Sequence, residues 1–195
     1  MKERVKVFYD LETTGTDVKK HSIHQIAGMV EVDGRVVEKF NIFSRPHPKA
    51  LIDEGALAVC RKSAEELLAY QDMAEAHKEF KGVLGQYIDP FDRGQKAWLV
   101  GFNNRAFDDL FLRAWFEQNG DTYIGSWFWT DTLDALVLAS QYLIDRRAGM
   151  PSFKQQRVAK ELGILVDDSL LHDASYDVEL TRSIYRIVTG IEMEL

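Results

Sequence analysis

The stretch Val5-Lys6-Val7-Phe8-Tyr9-Asp10-Leu11-Glu12 decides how the rest of the chain reads. Its run of β-branched and aromatic residues marks a strand. Successive side chains of a strand point to opposite faces, so Phe8, Asp10 and Glu12 share one face while Val7, Tyr9 and Leu11 take the other. Two carboxylates therefore stand side by side at the strand's end. Outward from this segment, Gln25 to Val32 and Val36 to Phe43 flank Asp33-Gly34, a dipeptide that favours a tight hairpin. Three strands open the chain.

Ser63 and Glu66 form a capping box ahead of a long helical pattern through Leu67, Met73, Phe80 and Leu84, which ends near Asp89-Pro90. Ala97 to Phe102 reads as a fourth strand, and Phe107 to Gln118 as a helix stopped by Asn119-Gly120. Trp127 to Trp129 reads as a short fifth strand. Helical patterns then cover Thr132 to Ile144, Lys154 to Leu162 with Gly163 as its stop, and Ser175 to Thr189 with Gly190 as its stop. Strands followed by alternating helices indicate an α/β fold, with a central mixed sheet of about five strands that begins with an antiparallel hairpin and is flanked by helices.

With 195 residues, 46% of them hydrophobic, the chain has the makings of one domain over residues 1–195. No stretch reaches the length of a membrane span, and Met1-Lys2-Glu3-Arg4 leads into a short apolar run rather than a secretory core, so a cytoplasmic protein is expected. The single cysteine, Cys60, excludes an internal disulfide and a cysteine-rich zinc site, and it is expected to act as a small apolar residue. A net charge of −7 argues against a broad basic surface for nucleic acid. If nucleic acid is the substrate, bound divalent cations must offset phosphate repulsion, which directs attention to the acidic residues.

Two more carboxylates interrupt apolar patterns. Asp108 lies three, four and seven residues from Phe111, Leu112 and Trp115, on the buried stripe of its helix, whereas Asp109 points elsewhere. Asp177 aligns in the same way with Leu180, Ile184, Ile187 and Val188. A turn or cap role accounts for any one of these acids, but not for their alignment with core stripes. An unpaired buried carboxylate costs several kcal/mol, so Asp10, Glu12, Asp108 and Asp177 call for a common reason. Two divalent cations roughly 4 Å apart would supply it, holding the attacking and leaving oxygens of a phosphoryl displacement. Oxygen ligands favour magnesium, or manganese. His172 falls in the loop before the last helix, for which Asp173 is the expected N-cap. There it can accept a proton from an attacking water near neutral pH.

Read in order, Asp10-Leu11-Glu12-Thr13-Thr14-Gly15, Asn104 through Phe107-Asp108, and His172-Asp173-Ala174-Ser175-Tyr176-Asp177 resemble the three motifs of the DEDDh superfamily of 3′ to 5′ exonucleases. That resemblance implies a ribonuclease H-like fold, two magnesium ions and release of nucleotides from a 3′ end. Carried over by position, Asp10, Glu12, Asp108 and Asp177 would be metal ligands and His172 the general base. Thr13 and Asn104 would help seat the terminal nucleotide. Gly101 through Asp109, Ser126-Trp127 and Pro151-Ser152-Phe153 are similar to the exonuclease I branch, where Asn103 stands in place of the histidine common elsewhere. The chain stops soon after the last motif, without the accessory domains of that branch, so distributive cleavage is expected.

Other candidates have plainer roles. Asp131 is expected to cap the helix starting at Thr132. Trp115, Trp127, Phe128 and Trp129 are expected in the core rather than under bases, and Lys19, Lys20 and His21 in solvated loop. The expected substrate is single-stranded DNA. The rivals are an exoribonuclease or oligoribonuclease-like activity, a proofreading subunit or repair partner of a DNA polymerase, and a noncatalytic module on the same fold. The short tail from Ile191 to Leu195 offers little length for a polymerase-binding peptide.

Overall fold

The computed structural model describes residues 4–190; the Met1 to Glu3 start and the tail from Ile191 to Leu195 lie outside the described residues. Strand β1 (Val5–Thr13) lies at the centre of a five-stranded sheet ordered β3-β2-β1-β4-β5. It pairs antiparallel with β2 (Ile23–Val32), which pairs antiparallel with β3 (Arg35–Phe43). The β2–β3 turn is made by Asp33 and Gly34 at φ 47° and 91°. Positive φ at both positions is the turn geometry that matches strand twist, as the dipeptide indicates.

On its other side β1 runs parallel to β4 (Trp98–Gly101), and β4 runs parallel to β5 (Leu133–Asp134). Here the structure corrects the sequence reading. Trp127 to Trp129 is not the fifth strand: Ile124–Trp127 forms the one-turn helix α5, and only Phe128 makes a lone parallel bridge, to Ala97. A short aromatic run fits a buried helical turn as well as a strand, and length alone cannot separate the two. The helix expected from Thr132 instead begins after β5, as α6 (Ala135–Tyr142). Its cap is Asp134, whose side chain accepts from the Leu136 N–H, so Asp131 does not hold that role.

A second correction concerns the first helical region. The helix α1 (Glu54–Cys60) was not signalled, and the long pattern after Ser63 is two helices, α2 (Ala64–Ala69) and α3 (Met73–Leu84). The capping box at Ser63 and Glu66 is present. The break follows from local competition: Asp72 caps α3 through the Ala74 N–H, and Arg45 donates to the Leu68 and Tyr70 carbonyls that a continuous helix would use. The later helices α4 (Asp108–Gln118), α7 (Gln155–Glu161) and α8 (Ala174–Val188) fall where their periodicity and stops place them.

Apolar layers cover both faces of the sheet. Val7, Tyr9 and Leu11 pack with Phe80 of α3, Phe111, Leu112 and Trp115 of α4, and Trp127. Phe8, Met29 and Val100 pack with Ala135 and Ala139 of α6, Val158 of α7, and Val178 and Ile184 of α8. The alternation of β1 thus feeds two cores at once, and Trp115, Trp127 and Phe128 are buried as expected. Gly28 of β2 leaves room for the Phe40 ring opposite it: a Cβ there would fall 2.3 Å from Phe40 Cζ and 2.6 Å from the Phe8 carbonyl oxygen. Gly28→Ala is therefore expected to lower stability by about 1–3 kcal/mol, seen as a lower urea midpoint with an unchanged slope. A midpoint equal to that of the native protein would show that the ring can swing aside freely.

Candidate active site

The parallel pairing of β1 and β4 runs only from Lys6 to Phe8 on the β1 side. Beyond it the strands part, because β4 ends at Gly101 and the chain turns away through Asn103 at φ 64°. Gly101 is needed for that turn, since a Cβ on it would lie 2.6 Å from Asn104 Cβ. The gap at the carboxyl ends of parallel strands is where α/β sheets open a crevice. Asp10 and Glu12 project into it from the end of β1.

Asp108 and Asp177 come from helix starts on either side. Asp108 opens α4 and is buried along with Phe111, Leu112 and Trp115, as its spacing predicts. Asp177 lies in the first turn of α8, buried with Leu180 and Ile184. Its Oδ2 accepts the backbone N–H of His172 at 3.2 Å. Asp173 caps α8 through the N–H groups of Ser175 and Tyr176, as expected. His172 itself sits at φ 68° with its side chain exposed at the mouth of the crevice. Acidic side chains from three distant stretches of chain thus share one cleft.

Electrostatics register their proximity. Burial, followed by the charges of Asp108, Glu12 and Asp177, pushes the Asp10 carboxyl well above the usual range. Burial raises Glu12 to about 7, with Asp177 and Asp173 adding to it. Burial raises Asp177 to about 6, against the pull of the His172 N–H and the His172 side chain. Asp108 is raised by burial and by Asp109, while backbone donors, including that of Leu11, hold it down. Among the described residues no lysine or arginine is paired with Asp10, Glu12, Asp108 or Asp177. Four uncompensated carboxylates offer the all-oxygen donor set that hard divalent cations prefer, so the residues fit such ions. As they stand, no three His, Cys, Asp or Glu side chains among the described residues are grouped closely enough to hold a metal ion, so binding one requires these carboxylates to draw together.

The remaining expected contacts divide. Thr13 is half-buried beside the cluster, after a register shift in β1, and its hydroxyl donates to the Gly15 carbonyl at 2.8 Å. Asn104 is fully buried and donates through Nδ2 to Asp109 Oδ1 at 3.0 Å. The amide nitrogen thus braces Asp109, while the amide oxygen, Oδ1, is buried without a hydrogen-bond partner among the described residues. Asp109 also accepts from Tyr9 Oη at 2.5 Å and from Thr132 Oγ1 at 2.7 Å. Sequence reading passed over this network. Its only signal was that Asp109 is off the apolar stripe and Tyr9 on the face of β1 opposite Asp10. Lys20 pairs with Asp17 as a surface residue, whereas His21 is buried against Asp17 and Asp53 rather than solvated. Cys60 is half-buried with its thiol toward the Leu57 carbonyl.

Raised carboxyl pKa values destabilise the folded state at high pH. Glu12 and Asp177 bind protons in the folded chain at pH values where the unfolded chain has released them. Stability is then complete below about pH 4 for these groups and is lost as pH rises through about 6 to 7. In EDTA, the Tm is expected to fall across that window relative to the double variant Glu12→Gln/Asp177→Asn, which lacks these two titrations. Asp108→Asn should raise the Tm at pH 8 in EDTA by several degrees, at roughly 2–4 °C per kcal/mol. A Tm that climbs with pH across this window in EDTA would refute the crowding.

With this geometry in place, comparison with known proteins gives a consistent result. Residues 7–185 match the RNase T family model, described as exonuclease. Exodeoxyribonuclease I of Escherichia coli (strain K12) is 27% identical over 203 residues, covering 93% of this chain and 39% of that protein. The PolC-type DNA polymerase III of Mycoplasmopsis pulmonis (strain UAB CTIP) is 27% identical over 180 residues, covering 92% of this chain and 11% of that protein. The crystal structure of E. coli exonuclease I with a dT13 oligonucleotide superposes with a TM-score of 0.75 at 24% identity, over 95% of this chain and 41% of that one. The chain thus spans well under half the length of these relatives, and the superposition establishes a ribonuclease H-like fold. Crevice, motif order and family model agree: the chain belongs to the RNase T family of exonucleases.

Proposed function

We propose that the chain is a metal-dependent 3′ to 5′ exonuclease that acts on single-stranded DNA. The observation that carries this reading is the convergence of Asp10, Glu12, Asp108 and Asp177 with no cationic partner among the described residues. These four side chains would hold two divalent cations, magnesium or manganese, which supply charge stabilisation to both oxygens of the displaced phosphodiester and acidify the attacking water. The protein's own part is placement. Burial keeps the carboxylates close, so that cation binding is favoured by relief of their mutual repulsion. His172 is exposed at the crevice mouth, and its backbone is tied to Asp177. From there its imidazole takes the proton of water as the phosphorus is attacked, and releases it to solvent. Thr13, beside Glu12, borders the place for the terminal sugar.

The preference for DNA is supported by the likeness to exodeoxyribonuclease I over 93% of the chain. Oligoribonuclease-like activity is the alternative, and a ribose 2′-hydroxyl would discriminate. Similarity to PolC-type polymerases supports a second reading, in which the chain works as the editing part of a DNA polymerase or alongside a repair partner. Among the described residues no helix is long and apolar enough to cross a membrane.

A 5′-labelled single-stranded DNA should give a ladder of shortened products in magnesium. EDTA should abolish the ladder, excess magnesium restore it, and a blocked 3′ end prevent it. Matched RNA should be cut more slowly; equal or faster cutting would favour the ribonuclease alternative. Asp10→Ala and Asp177→Ala should each remove detectable cleavage without loss of the cooperative thermal transition. His172→Ala should cut the rate by about 10²- to 10⁴-fold. An unaltered rate in Asp10→Ala would overturn the ligand set, and an unaltered rate in His172→Ala would remove His172 from the chemistry.

A further inference from the structure

Next to His172 lies a cavity of about 300 Å³ that none of the four carboxylates lines. It is lined by Arg61 and Lys62, just after α1, and by His172, Asp173 and the loop before them. Its floor is polar: Gln25 of β2 donates through Nε2 to Asn41 Oδ1 of β3 at 2.8 Å, with Phe43 beside them. The volume is at the lower end of small-ligand clefts, which run from about 300 to 1,000 Å³.

The charge on these walls is unusual for a chain carrying −7. The Arg61 side chain has no hydrogen bond or ion pair among the described residues; its backbone N–H caps α1 on the Leu57 carbonyl at φ 55°, a left-handed conformation unfavourable to a residue with a Cβ. Lys62 has only a loose partner, Glu66 Oε1 at 3.6 Å. The one acid in the cavity, Asp173, is engaged by two backbone N–H groups at the start of α8. Burial, and further down the Glu12 charge, push the thiol of Cys60 up, so this wall is within electrostatic reach of the β1 carboxylates. A free guanidinium and a lightly held ammonium therefore face an amide floor one step from the crevice mouth.

We propose that this cavity is a subsite for the substrate strand upstream of the terminal nucleotide, with Arg61 and Lys62 holding phosphodiester oxygens. The assignment rests on the exonuclease reading of the neighbouring carboxylates. It answers the problem posed by the acidic chain: cations at the carboxylates neutralise the phosphate being cut, and these two side chains neutralise those that follow. Sugar and base then lie over Gln25, Asn41 and Phe43, which offer hydrogen bonding and a ring face to any base.

The test is equilibrium binding, which does not depend on turnover. The probe is a 5′-fluorescein ten-nucleotide thymidine oligomer with phosphorothioate linkages at its 3′ end, which keep the charge and resist hydrolysis. Anisotropy is followed in magnesium over a range of salt. Each phosphate contact to a single strand contributes about 0.7 to the slope of log affinity against log salt. Arg61→Gly combined with Lys62→Gln should flatten that slope by about 1.4 and weaken binding about tenfold at low salt. Glycine suits the backbone at 61, so the fold is kept, and Arg61→Lys should retain most of the slope. An unchanged slope and affinity in the double variant, or no binding by the native protein, would overturn the subsite. Binding that behaves as expected in a protein that shortens no ordinary oligomer would instead defeat the exonuclease reading and leave the subsite standing.

Discussion

Four carboxylates crowded into one poorly hydrated crevice repel one another, and much of the architecture serves to keep them there. In water like charges at this spacing would cost little, but in a protein interior the same separation costs several times more, and part of that cost emerges as raised proton affinity. Asp10 and Glu12 cannot move away because β1 is the central strand, held by β2 along its whole length and by β4 at its start. Asp108 and Asp177 cannot move away because each is the first-turn residue of a helix whose apolar stripe is locked against the sheet. Hydrophobic burial of residues such as Trp115 and Ile184 thus sustains an electrostatically unfavourable cluster.

The Asp109 network shows how such a cluster is kept in register. Its two oxygens take hydrogen bonds from Tyr9 of β1, Asn104 of the turn after β4, and Thr132 just before β5. These anchor the start of α4 to β1 and to the segments that follow β4 and precede β5. Adjacent residues therefore divide the work: Asp108 faces the crevice and Asp109 fastens the helix that carries it. The negative charge of Asp109 in turn adds to the raised proton affinity of Asp108.

The distribution of charge is consistent with a site that takes up a polyanion only with help. The net charge of −7 disfavours nucleic acid at long range, and the crevice concentrates that charge. Under the proposed reading, divalent cations reverse the sign at the point of cleavage, and Arg61 and Lys62 extend the favourable region along the strand. The far end of the sheet uses charge differently. There, Lys6 and Arg182 neutralise the buried Glu31 directly, so that acid is a structural ion pair. The contrast between paired Glu31 and unpaired Asp10, at opposite ends of one face of the sheet, separates an acid that stabilises from an acid that waits for a ligand.

By itself the sequence determined the strands that open the chain, the tight turn at Asp33-Gly34, the helices bearing Asp108 and Asp177, and the acids that break apolar stripes. All of these depend on local rules: alternation of two, periodicity near 3.6, and residues that tolerate positive φ. Tertiary structure alone decided the rest. It split the helix at Asp72 because Arg45, distant in sequence, takes the carbonyls of α2. It put the fifth strand at Leu133–Asp134, since a two-residue strand has no pattern of its own and exists only where β4 offers a partner. It turned Asn104 inward to Asp109, and it brought Arg61 and Lys62 into one cavity with His172. Periodicity along one segment carries no information about which other segment it will meet, and it is those meetings that make the crevice and the cavity beside it.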